Sequence, residues 1–138
     1  MKGILRAYLE VPIDYPMPDR YVHRPERQSV TIASGNLPEW VLALEGIRVS
    51  VGLQTIVECK NTQVMASLCR FMHSEEVVQI ESLRSSLGVT VSPHIILGWV
   101  EDEPSQMAHL AMVRQWNSDA PVLSIVSAII EFEDVTNA

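Results

Sequence analysis

Cysteine is scarce in this 138-residue chain, and the two present, Cys59 and Cys69, stand ten residues apart with no CxxC and no histidine at finger spacing. That excludes a disulfide framework and a zinc finger, and both residues read as buried, reduced thiols. Long hydrophobic runs are missing too. None approaches the ~20 residues that span a bilayer. Arg6 and Glu10 interrupt what would be the apolar stretch of a signal peptide, so the sequence predicts a cytoplasmic protein with no membrane partner. Basic charge is short, with 10 Lys and Arg against 17 Asp and Glu, a net charge of −7. What basic charge there is lies early. Residues 1–74 carry eight basic and seven acidic side chains, whereas 75–138 carry two and ten. A binder of long duplex nucleic acid needs a basic stripe. Here one short segment qualifies, Arg20, Arg24 and Arg27 around His23, so an anionic ligand is expected to be small or held at one end.

What the chain does have is ordinary globular composition, 47% apolar and 20% charged, at a length suited to a single domain over 1–138 with a core that needs no staple. Gly3 to Ile13 reads as a first strand ending at Pro12. Asp14 to Gln28, with Pro16, Pro18 and Pro25, reads as a long surface loop of the kind that is often functional and mobile. Ser29 to Ala33 is a short strand. Asn36 then caps an expected helix whose face is Leu37, Trp40, Val41 and Leu44, stopped by Gly46. Ile47 to Glu58 and Gln63 to Met72 read as paired strands. Ser74 opens a helix with Val77, Ile80, Leu83 and Leu87 inward and Gly88 as its stop. A strand from His94 to Val100, a helix capped by Asp102 with Met107, Leu110 and Ala111 inward, and a strand or strand pair from Val122 to Phe132 complete the chain. Each half holds a short strand followed by a helix. The expected fold class is therefore α+β, two lobes of duplicated strand–helix units around a central cleft.

The run Ser92-Pro93-His94-Ile95-Ile96-Leu97-Gly98-Trp99-Val100 resembles the second signature of the 2H phosphoesterase superfamily, the 2′,5′ RNA ligase-like proteins: His, apolar, Thr or Ser, apolar, after a proline and before a glycine. Ser29-Val30-Thr31-Ile32 falls where the first signature would be. The resemblance implies two strands side by side in a cleft, with Ser29, Thr31 and His94 at the catalytic positions and no metal or other cofactor. It further implies a small nucleotide or an RNA end as partner: a 2′,3′-cyclic phosphate, a cyclic mononucleotide or a cyclic oligonucleotide. Small stand-alone members in bacteria and phages would process RNA ends or remove a defence signal. Two positions depart from the pattern, since Ser29 stands where the first histidine belongs and Ile96 where the second hydroxyl belongs. Loss of one acid or base forfeits roughly 10²–10⁴ in rate, and a serine hydroxyl cannot act as an imidazole near neutral pH. Binding survives more easily than turnover. His94, Thr31 and Ser29, with Arg20, Arg24 and Arg27 as phosphate-binding residues on a flap over the same cleft, retain charge-assisted contacts to a phosphate.

The chemistry thus stays open between a weak or inactivated cyclic phosphodiesterase, a non-catalytic nucleotide-sequestering protein, and a protein-interaction scaffold that presents the acidic C-terminal half with Trp116. Plainer roles stand beside these. His94 could be a half-buried strand histidine bonded to backbone, the arginine loop a solvated flap paired with its own acids, and Glu101-Asp102-Glu103 a helix start rather than a metal site. His23 is a distant substitute for the missing imidazole. His73 and His109 read as surface residues, and Trp40 and Trp99 as core and rim packing.

Overall fold

A computed structural model describes residues 1–59, 64–100 and 120–136. Among these residues six strands form: β1 (Lys2–Leu9), β2 (Ser29–Asn36), β3 (Arg48–Cys59), β4 (Val64–Phe71), β5 (His94–Trp99) and β6 (Ser124–Asp134). They close into a barrel in the order β1-β2-β5-β4-β3-β6, every pairing antiparallel. This overturns the two-lobed α+β expectation. The decisive contact is between the ends of the chain: β1 pairs with β6 from Gly3↔Asp134 to Leu9↔Ala128, so one sheet returns to its own start instead of splitting into two. Closure leaves no sheet edge.

Alternation fills the interior. Leu5 and Ala7 of β1, Val30 and Ile32 of β2, Val49 and Val51 of β3, Ile95 and Leu97 of β5, and Ala128 and Ile130 of β6 are all buried. On β2 the alternation slips at a bulge, where Leu5 pairs with Ala33 but Arg6 pairs with Thr31, leaving Ile32 and Ala33 both buried. Strand β4 is buried along its length except at Arg70, which suits a strand covered on both faces.

The helix expected after Asn36 is shorter and tighter, a single 3₁₀ segment over Glu39–Leu44 preceded by Pro38. Its two buried residues, Val41 and Leu44, join the barrel core, while Trp40 is 43% exposed rather than packed inside. Helix α1 (Glu75–Ser86) follows the sequence closely. The Ser74 hydroxyl accepts from the Val77 amide at 3.2 Å, two glutamates occupy the first turn, and Val77, Ile80 and Leu83 are buried. Gly88, at φ +69°, sits just past its end in the left-handed region. Leu87, expected inward, is 39% exposed. The helix expected from Asp102 lies outside the described residues, as do Glu101 to Glu103, His109 and Trp116.

The proline-rich segment between β1 and β2 is tied down, contrary to the mobile flap that its composition predicts. Its neck is cinched by Gln28, whose Oε1 accepts from the Ile13 amide at 2.6 Å and whose Nε2 donates to the Ile13 carbonyl at 3.2 Å. Tyr21 is buried in the core and donates its hydroxyl to Glu58 at 2.5 Å. His23 and Trp99 exchange backbone hydrogen bonds at 3.2 and 3.0 Å, extending β5 onto the loop. Gly98 makes this approach possible, since a Cβ there would lie 3.0 Å from both the His23 carbonyl oxygen and the Met17 methyl.

Candidate functional site

The seam between β2 and β5 is the weak one. It carries a single described pair, Val30↔Ile95, while each other seam carries at least five. Val30 and Ile95 face the core, so their neighbours Thr31 and His94 stand opposite each other on the outer face of the barrel. Thr31, His94 and Ile96 line one cavity of about 310 Å³ together with Ser34, Ser92 and Arg84. Two of the three catalytic candidates therefore meet, and Ile96 shares their face. Ser29 does not join them. It lies two residues before Thr31 on β2, but it is not among the residues that line this cavity.

The seam is held by Arg84, one of the two basic residues of the acidic half, to which no sequence motif assigns a role. From the last turn of α1 its Nη1 donates to the Ile32 carbonyl at 2.9 Å and to the Thr31 carbonyl at 3.3 Å, and its Nη2 donates to the Val91 carbonyl. The Ile32 carbonyl belongs to the residue that the β2 bulge leaves out of the ladder, and such a residue needs another donor. The signal for Arg84 was its place directly after Leu83, the last buried position of the helix stripe, which sets a long cation at the boundary of the core. Desolvation lowers its pKa below the usual arginine value, yet a guanidinium stays protonated near neutral pH.

His94 is half-buried and its Nδ1 lies 3.0 Å from the Ser92 carbonyl oxygen. A carbonyl can only accept, so Nδ1 carries the proton and Nε2 is the acceptor end of the neutral ring. Burial is the main cause that lowers the His94 pKa below 6.5, the Ser92 bond opposes it, and the nearby Arg84 charge adds to it. The imidazole is therefore neutral near pH 7, and the cation at this site is Arg84. The Cys69 thiol, pushed up to about 12 by burial, is an inert core group, as the sequence predicts; the Cys59 side chain lies outside the described residues.

The three loop arginines do not reach this cavity. Arg20 pairs with Glu58 across to β3, and Arg27 pairs with Glu131 of β6 at 2.5 Å while its guanidinium lies 3.8 Å from the centre of the Tyr8 ring. Arg24 and Arg27 line a separate cavity of about 540 Å³, which shares no lining residue with the first. The phosphate clamp expected around His94 is thus not assembled, and the ion pairs of Arg20 and Arg27 are made to β3 and β6. His23 stacks on Trp99, with centroids 5.9 Å apart and planes 15° apart, and supplies no second imidazole to His94's cavity. His73 is exposed, as expected. No group of three or more metal-ligating side chains occurs among the described residues, and none of their helices is long and apolar enough to cross a membrane.

No protein-family model, curated protein or solved structure matches this chain.

Proposed function

We propose that this chain is a non-catalytic binding domain for a small phosphate-bearing nucleotide, seated on the β2–β5 seam. The observation that carries the reading is the meeting of the Thr31 hydroxyl, the His94 ring and the Arg84 charge in one cavity of about 310 Å³, at the small end of ligand-sized sites. A phosphoryl group beside Arg84 gains charge attraction, and the hydroxyls of Thr31, Ser34 and Ser92 offer donors to its oxygens. Turnover lacks support. In a cyclic-phosphate opening one group takes a proton while another delivers one. Burial lowers the His94 pKa, which suits it to act as base or acceptor, and among the described residues that line its cavity it is the one imidazole.

The test is to mix the protein with 2′,3′-cyclic and 3′,5′-cyclic mononucleotides and cyclic dinucleotides, then chromatograph the supernatant before and after denaturing the protein. Depletion reversed by denaturation is expected. Thr31→Val, an exposed change, should weaken retention about tenfold or more through loss of one hydrogen bond to a charged group. Depletion with new product instead establishes a phosphodiesterase, and no depletion of any of these ligands ends the nucleotide reading.

A further inference from the structure

The larger cavity, about 540 Å³, lies between the proline-rich loop and the barrel wall, and the function proposed for the seam does not use it. Its apolar lining comes from both sides, Ile13 and Met17 from the loop and Leu97 and Ile129 from β5 and β6. Tyr8 and Tyr15 add aromatic walls. The volume falls within the ~300–1,000 Å³ usual for small-molecule sites, and such sites are mostly pre-formed. Pre-formation is explicit here, because the Gln28 clamp, the Tyr21–Glu58 bond and the His23–Trp99 backbone pair hold the loop over the barrel.

Four charged side chains line the cavity, and two are already answered within the protein. Arg27 is paired with Glu131, and Glu10 is paired with Arg48 at 2.5 Å. The other two, Arg24 and Glu26, flank Pro25, are exposed, and make no ion pair among the described residues. A guanidinium and a carboxylate outside any ion pair among the described residues, at the rim of an aromatic-walled cavity with a mixed polar and apolar lining, match a ligand that carries both charges at one end and an apolar group at the other. We infer that this cavity is a binding site for a small apolar zwitterion of the amino-acid class, its carboxylate toward Arg24, its ammonium toward Glu26 and its side chain among Tyr15, Met17 and Leu97. Arg27, on the same cavity, is already paired with Glu131.

The experiment is calorimetric titration of the intact protein with L-phenylalanine, its C-terminal amide and its N-acetyl derivative. Phenylalanine is expected to bind, and each blocked form to bind about tenfold more weakly, the scale of a lost hydrogen bond to a charged group. Arg24→Met should abolish the preference over the amide while keeping the preference over the N-acetyl form. Glu26→Gln should do the reverse. Both residues are exposed, so neither variant threatens the fold. Absence of saturable binding by all three compounds overturns the inference, as does discrimination at one end only, or discrimination that persists in both variants.

Discussion

Arg84 is where one side chain does most for the architecture. Three carbonyls, those of Thr31, Ile32 and Val91, depend on its fork, at the barrel seam with the fewest ladder pairs. Arg84→Met should cost roughly 2–4 kcal/mol, since it strands part-buried acceptors rather than merely deleting a contact. Arg84→Lys should recover little of this, because an ammonium on a flexible stem cannot reproduce a planar fork aimed at three acceptors. Urea midpoints for the two variants measure both. His94 supplies a second prediction. Its folded-state pKa lies below 6.5, so the unfolded chain binds the proton more readily. The sign follows from linkage: this contribution to stability is complete above about pH 6.5 and is lost as pH falls toward the depressed folded value. Denaturant midpoints between pH 7.5 and 5 should therefore decline in the wild type, and His94→Gln should make that decline shallower. Equal slopes in the two proteins would remove His94 as the cause.

Among the elements, the loop between β1 and β2 departs furthest from its composition. Three prolines and many charges resemble an open flap, yet hydrogen bonds and a buried tyrosine fasten it to β3, β5 and the neck at Ile13. Gln28→Ala should release that neck and speed limited proteolysis within 14–27 while changing global stability little, because the barrel ladders do not depend on it. Gly98→Ala acts from the other side. Its Cβ would press on the His23 backbone at 3.0 Å, which cannot swing away as the Met17 side chain can, so a cost of about 1–3 kcal/mol and the same proteolytic opening are expected. Helix α1 is the converse case, an element whose start is set by one hydroxyl. Ser74→Ala should cost about 1 kcal/mol by leaving the Val77 amide without its cap, measured by chemical denaturation.

For the whole molecule, closure of the barrel ties the first strand to the last. Removing residues 124–138 would open the edges of β1 and β3 together, since β6 pairs with both. Such a chain is expected to aggregate rather than fold to a smaller barrel, because exposed edges invite intermolecular pairing. A soluble, monomeric truncation with retained β-sheet circular dichroism would refute this. Local pattern was enough to locate most strands, α1 from its Ser74 cap to its Gly88 stop, and the buried state of Cys69, because caps, turns and alternation act over a few residues. It was also enough to bring Thr31, His94 and Ile96 into one group, through i, i+2 spacing on two strands. Which strands pair is a different kind of fact. The β1–β6 closure joins residues more than a hundred apart, and nothing local in either strand names its partner, so the same elements read equally well as two lobes. For the same reason Arg20 and Arg27 went to Glu58 and Glu131 rather than to His94, and Arg84 became the cation of the seam. Charges find partners by distance in the folded chain, and only the closed barrel fixes those distances.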